Sequence, residues 1–146
     1  MSKYHTLTIK TQGEKFYSIT KLVEENLQQI LKTTFPQSTA GVLHLMIAHT
    51  SCALTIGESF DPSAKGDQER FLKHLVPSGL PFIKHLDEGE DDSPSHIKSM
   101  LLQQHLAIIV ENKELIIGKW QGIYLAEFRM APHARSIFMK YQPDSI

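Results

Sequence analysis

The chain carries a single cysteine, Cys52, among its 146 residues. No internal disulfide and no cysteine-built zinc site can form, so any metal must be held by histidine and carboxylate. A dominant charge is missing as well: 15 basic residues stand against 16 acidic ones, for a net charge of -1. Without a basic stripe interleaved with aromatics, nucleic acid is not an expected partner. No apolar run approaches the ~18 residues that a membrane-crossing helix requires. The opening segment MSKYHTLTIK is polar and alternating, unlike a signal peptide. These absences lead us to expect a cytoplasmic protein with no membrane partner. What remains is about one domain's length of chain, enough to bury roughly 70% of its unfolded surface.

The sequence is rich instead in histidine, with eight in all, and in one crowded acidic stretch. Residues 85–98, HLDEGEDDSPSHIK, set Asp87, Glu88, Glu90, Asp91 and Asp92 between His85 and His96. Gly89 and Pro94 rule out one continuous helix or strand there. Crowded carboxylates beside imidazoles suit a divalent cation. A run of acids is more commonly a solvated surface loop, and we read Glu90 and Asp91 that way. The bracketing histidines are harder to explain by packing and read as functional.

Residues 6–10 alternate polar and apolar, and Gln12, Gly13 and Glu14 predict a turn into a second strand at 16–19, an N-terminal hairpin. Leu22, Val23, Leu27, Ile30 and Leu31 share one stripe of a helix over 21–32, with Thr20 as its cap and Glu24 and Glu25 near the positive end of the dipole. The run VLHLMIA at 42–48 predicts a central strand covered on both faces. His49, Thr50 and Ser51 stand at its end, and residues 53–56 resume the apolar pattern. Asp61 and Pro62 start a second helix that ends at Leu75, with Ala64, Phe71, Leu72 and Leu75 on one face. Ser93 and Pro94 start a short third helix reaching 103, with His96 in its first turn. Residues 106–110 and 114–117 form a hairpin, and 136–141 a last strand. In GKWQGIYLAEF, residues 118–128, Gly118 and Gly122 flank the only tryptophan and permit a bulge or a close approach. The predicted fold class is α+β, a single compact domain of mainly antiparallel sheet or sandwich with two longer helices and one short one.

The ordered set HTSCALTI (49–56), DP (61–62), LVP (75–77), HLDEGEDDSPSHIK (85–98) and GKWQGIYLAEF (118–128) resembles the YjbQ-like family, UPF0047, over nearly the whole chain. The resemblance implies an α+β domain dominated by antiparallel sheet, a homotrimer, and clustered histidines and acids that bind a metal. It also implies a secondary thiamine phosphate synthase activity, which joins hydroxymethylpyrimidine diphosphate to thiazole phosphate and releases pyrophosphate. The family's motifs fall on His49, Thr50 and Ser51; on His85, Asp87, Glu88 and Gly89; on His96 and Lys98; and on Trp120, Gln121, Gly122, Ile123 and Glu127. The chain departs from the family at Gly57 and Ser59, where many members carry asparagine, and at Glu90 and Ser93, which replace proline and methionine.

Departure of pyrophosphate requires its charge to be neutralised, a task for a cation held by imidazole and carboxylate. The expected cofactor is a divalent metal ion, zinc, manganese or magnesium. Its expected ligands are His49, His85 and His96, with Asp87 and Glu88 as further ligands or as anchors of the imidazoles. Thr50, Ser51, Lys98 and Arg129 are expected to meet the phosphorylated small-molecule substrate, and Trp120, Gln121 and Gly122 to line its site. Glu127 is expected to act as general base or to orient substrate, with His49 beside it. Plainer explanations compete: a hydrogen-bonded strand-end histidine for His49, an ion pair with Arg129 or Arg135 for Glu127, and core packing for Cys52. His5, His44, His74, His105 and His133 read as surface or structural. Three functions fit these residues: the synthase, a metal-dependent hydrolase of another small phosphorylated or acyl substrate, and a non-enzymatic metal-binding trimer.

Overall fold

A computed structural model describes residues 4–145; residues 1–3, the start of the polar opening segment, and residue 146 lie outside it. Strand β1 (His5–Thr11) buries Leu7, Ile9 and Thr11 on one face, the period of two expected of a half-covered strand. Its partner is not its neighbour in sequence. It runs antiparallel to β8 (His133–Pro143), whereas β2 (Lys15–Ser18) pairs with β7 (Gln121–Glu127) in the other sheet. The predicted N-terminal hairpin is therefore corrected. Gly13, at φ 89, lets the chain turn sharply between sheets, and Phe16 then packs with Tyr124 and Ala126 of β7.

Helix α1 (Thr20–Thr34) buries Val23, Leu27, Ile30 and Leu31, the predicted stripe. Thr20 does not cap it. Its hydroxyl instead accepts the Ile123 amide of β7 at 2.8 Å, and the helix has no acid in its first turn. β3 (Gly41–Ile47) lies between β8 and β5 (His105–Glu111), and β6 (Glu114–Leu115) closes that edge, giving the order β1-β8-β3-β5-β6. Asn112 and Lys113 both have positive φ, as the two-residue turn of the β5–β6 hairpin requires. β3 is central as predicted, but only one of its faces is covered. Leu43, Leu45 and Ile47 point into the core, while Met46 is 47% exposed beside Phe138 on an outer face that also carries Ile109, opposite Val42. His44 and His105 stack on that same face with ring centroids 5.2 Å apart.

The second sheet is β2-β7-β4, with β4 at Cys52–Glu58. Leu54, Ile123 and Leu125 from this sheet meet Leu43, Leu45, Ile137 and Met139 from the first, and α1 completes the core. Each such fully buried aliphatic side chain contributes about 1.5–3 kcal/mol. Helix α2 (Pro62–Leu75) starts as predicted: the Asp61 carboxylate accepts the Ser63 amide at 2.9 Å. Of its predicted face only Leu72 is buried, and Phe71 and Leu75 are exposed. Helix α3 (Asp92–Leu101) begins before Ser93, so His96 lies in the second turn and Asp92 takes the first. The carboxylate, not the imidazole, thus faces the positive end of the dipole. No helix among the described residues is long and apolar enough to cross a membrane.

Candidate metal centre

Asp92 and His96 are four residues apart on α3, so their side chains lie one above the other on one side of the helix. Two tight turns bring His85 back to them. Gly89, at φ 104, donates its amide to Leu86, and Asp92 donates its own to Gly89. The Nε2 atoms of His85 and His96 then stand 2.8 and 2.9 Å from the same oxygen, Asp92 Oδ2. His85, Asp92 and His96 form a group able to hold a metal ion, with ligand atoms all within 4.8 Å of one another. The carboxylate is the buried floor and the imidazoles are the rim, with side chains 51% and 37% exposed.

His96 Nδ1 lies 2.8 Å from the Thr50 carbonyl. A carbonyl only accepts, so Nδ1 carries the hydrogen. A neutral His96 therefore aims its Nε2 lone pair at a carboxylate oxygen, a repulsive arrangement that a proton or a cation between them relieves. A backbone carbonyl on the far nitrogen is the usual way of fixing a metal-binding imidazole. The donor set, two imidazoles and one carboxylate with an exposed side, fits a divalent transition ion.

Arg129 braces the floor. Its NH1 donates to Asp92 Oδ1 at 2.6 Å, its Nε to Asp91 Oδ2 at 3.1 Å, and its NH2 to the Glu88 carbonyl at 2.9 Å. Burial alone would raise the pKa of Asp92. The hydrogen bond from His85, the charge of His96 when that ring is protonated, and the charge of Arg129 outweigh it and hold this carboxyl below its ordinary value. Asp91 is lowered too, because the Met130 amide and Arg129 outweigh its burial. Both acids are thus ionised at neutral pH.

His85 and His96 therefore come together as expected, but the acid that joins them is Asp92. Asp87 and Glu88 are exposed, and Glu88 contributes only its carbonyl. The spacing D-x-x-x-H at 92–96 was the available signal for Asp92. His49 is engaged elsewhere, its Nε2 accepting the Ser136 amide at 2.8 Å, in the manner of a hydrogen-bonded strand-end histidine. Thr50 takes part through its carbonyl, and Ser51 is buried against Arg135. Lys98 is buried and held by Glu14 at 2.6 Å. Trp120, Gln121 and Gly122 lie at the far end of β7, where Gln121 pairs with Glu58 while Glu127 pairs with Cys52. Six residues of strand put about 20 Å between those ends. There Trp120 stacks edge-on with Phe60, Gln121 accepts the Gly118 amide at 2.6 Å, and Gly122 admits Ser59 so closely that a Cβ would lie 2.6 Å from the Ser59 Cβ.

Glu127 is wholly buried in an ion pair with Arg135. Burial would raise its pKa, but hydrogen bonds from Arg135, Thr11 and the Arg129 amide hold it below the ordinary value. With both oxygens occupied, it offers no lone pair to a substrate proton, so the general-base expectation gives way to the ion-pair alternative.

A family model described as UPF0047 protein YjbQ-like matches residues 5–144. The chain belongs to the YjbQ-like UPF0047 family. It is 38% identical over 139 residues to UPF0047 protein YjbQ of Escherichia coli O157:H7, covering 95% of this chain and 96% of that one. It is 34% identical to UPF0047 protein YugU of Bacillus subtilis, covering 92% and 96%. Among solved structures, the conserved hypothetical protein TT1486 of Thermus thermophilus superposes with a TM-score of 0.81 at 33% identity, covering 94% of this chain and 99% of that one. An uncharacterised YjbQ/UPF0047 protein of Clostridium acetobutylicum gives 0.81 at 30% identity over the same shares. All the site residues of this YjbQ-like chain lie inside the matched span.

A pH effect follows from His49. Burial first, and Arg135 second, hold its pKa below 6.5. The fold favours the neutral ring, so His49 contributes stability that is complete above pH 6.5 and is lost as pH falls through its depressed folded value. Thermal midpoints measured across pH 7.5 to 5 should fall in the wild type, and His49→Gln should flatten that slope. An unchanged slope in the variant would remove His49 as its source.

Proposed function

We propose that this chain is a metal-dependent enzyme acting on a small phosphorylated substrate, of the thiamine phosphate synthase type. The observation that carries the reading is the convergence of His85 and His96 Nε2 on Asp92 Oδ2, with the His96 tautomer set by the Thr50 carbonyl. His85, Asp92 and His96 would hold the ion, and their exposed rim leaves a side open to substrate. Three protein ligands with an open position characterise catalytic sites, whereas structural sites are closed, which disfavours a purely structural trimer. Zinc or manganese suits the donor set better than magnesium. When bound, the cation supplies a Lewis acid for phosphoryl oxygens. Asp92 and Arg129 keep the floor rigid, and the His85 and His96 rings border the entrance.

A metal-dependent hydrolase is the second reading, and one observation favours it. The two cations expected to meet phosphate are already paired, Lys98 with Glu14 and Arg129 with Asp91 and Asp92. A departing pyrophosphate would then depend on the metal ion almost alone. Assembly as a homotrimer belongs to the proposal, with the outer face around Met46, Ile109 and Phe138 as the surface it would cover. So does a cytoplasmic location, since the only cysteine is a buried free thiol whose pKa burial pushes up to about 12.

Purified protein loaded with zinc or manganese should form thiamine phosphate and equimolar pyrophosphate from the pyrimidine diphosphate and the thiazole phosphate. His96→Ala should remain folded and lose both metal and product. No product from metal-loaded wild type would reject the synthase reading. Release of inorganic phosphate from small phosphate esters by the same sample would then establish the hydrolase.

A further inference from the structure

The buried pair Glu127 and Arg135 has no part in the chemistry above, yet it is joined to both supports of the ligand set. Arg135 donates Nε to Glu127 Oε1 at 2.7 Å and NH2 to Oε2 at 2.5 Å, and Thr11 adds its hydroxyl to Oε1 at 2.5 Å. Residues of β1, β7 and β8 thus meet in one polar knot between the sheets. Two arms leave it. Through the first, Arg135 NH2 reaches the Ser51 hydroxyl at 2.9 Å and the Ser51 carbonyl at 3.3 Å. Ser51 shares a peptide unit with Thr50, whose carbonyl takes the His96 Nδ1 hydrogen. Through the second, Glu127 Oε2 accepts the amides of Phe128 at 3.0 Å and Arg129 at 3.1 Å. Arg129 in turn braces Asp91 and Asp92.

We infer that Glu127 and Arg135 are the positioning pair of the metal centre, setting His96 through Ser51 and Thr50 and setting Asp92 through Arg129. This rests on the metal reading proposed above and deepens it. Stability is a weak reason for such a pair, because well-packed apolar residues of similar volume usually serve as well. Its directionality is the better reason. A planar guanidinium facing a carboxylate fixes distance and angle together, and here the outer edges of that unit hold the two chain segments that aim two of the three ligands. Among the described residues His85 is held by its hydrogen bond to Asp92 and its ring contact with His96, and its side chain is the most exposed of the three.

The test is titration of Zn2+ and Co2+ into the full chain, reading affinity and the visible Co2+ spectrum. Glu127→Gln keeps the volume but turns one acceptor oxygen into a donor, which breaks one arm. Arg135→Lys keeps the charge but loses the fork and its reach to Ser51. Each should lower affinity by roughly 10–100-fold, the usual effect of removing an outer partner of a ligand, and should shift the Co2+ bands. Ser51→Ala, which leaves the ion pair in place, should do the same more weakly and decides the matter if the other two do not fold. The control is Glu14→Gln, which disrupts another largely buried pair, Glu14 with Lys98, and removes none of the hydrogen bonds of either arm. It should bind both ions as wild type does, whatever its stability. Wild-type affinity and spectrum in folded Glu127→Gln or in Ser51→Ala would overturn the inference alone, as would an equal loss in Glu14→Gln. Failure of the wild type to bind either ion would overturn the metal reading and this inference together.

Discussion

Asp92→Asn should abolish tight metal binding while Asp87→Asn and Glu88→Gln leave it unchanged. The three substitutions remove the same charge from the same acidic stretch, and only the geometry separates them. Asp92 supplies the oxygen on which both imidazoles converge, whereas the side chains of Asp87 and Glu88 are exposed and outside the ligand group. Losing a direct ligand costs more than losing an outer partner, so calorimetric titration with Zn2+ should show affinity lowered more than about 100-fold. The fold should survive. Arg129 keeps its bond to Asp91, and the loss of one charge-assisted hydrogen bond costs about 1.5–3 kcal/mol. Equal losses from Asp87→Asn would mean that the loop binds metal through diffuse charge and not through a built site.

The second large effect is on stability. Glu127→Ala leaves Arg135 buried at 3% exposure with its main partner gone, a change that costs about 3–5 kcal/mol. That is a large share of the roughly 5–15 kcal/mol by which domains of this kind are stable. For a chain of this length it lowers the melting midpoint by about 6–20 °C. The sign of the pH dependence follows from the same pair. The folded pKa of Glu127 lies below its ordinary 4.5, so its stabilising contribution is complete above that value and is lost as pH falls through the depressed one. The difference between wild type and variant, followed by urea denaturation, should therefore shrink in acid. Replacing both partners, as Glu127→Leu with Arg135→Met, should recover most of the loss. A Glu127→Ala protein as stable as the wild type would show that the pair is open to water.

The elements were legible wherever periodicity spoke alone. The α1 stripe, the Asp61 and Pro62 start of α2, and the turn between β5 and β6 all follow from local rules and all stand in the structure. What failed was pairing. β1 and β2 are separated by a turn that suits a hairpin, but their partners lie more than a hundred residues away in β8 and β7, and no local pattern reports a contact at that range. β3 misled for a related reason. Val42 and Met46 are apolar on an outer face, so an alternating strand looked like a run buried on both sides.

At the candidate site, the acidic loop and its two histidines stand out in the sequence because packing does not readily explain their composition. Asp92 did not stand out because Ser93 and Pro94 resemble a helix cap and first residue, which sets the first turn two residues late. Glu127 carried the opposite error. A glutamate at the end of an apolar run suggests function, but Arg135 eight residues on and Thr11 at the other end of the chain satisfy it in full.

The measurement that tests the account most directly is an anomalous difference map from crystals grown with zinc or manganese. The account predicts one strong peak within about 2.0–2.2 Å of His85 Nε2, His96 Nε2 and Asp92 Oδ2, with the side toward solvent free of protein ligands. A peak elsewhere with this group empty, or an ion enclosed entirely by protein atoms, would contradict it.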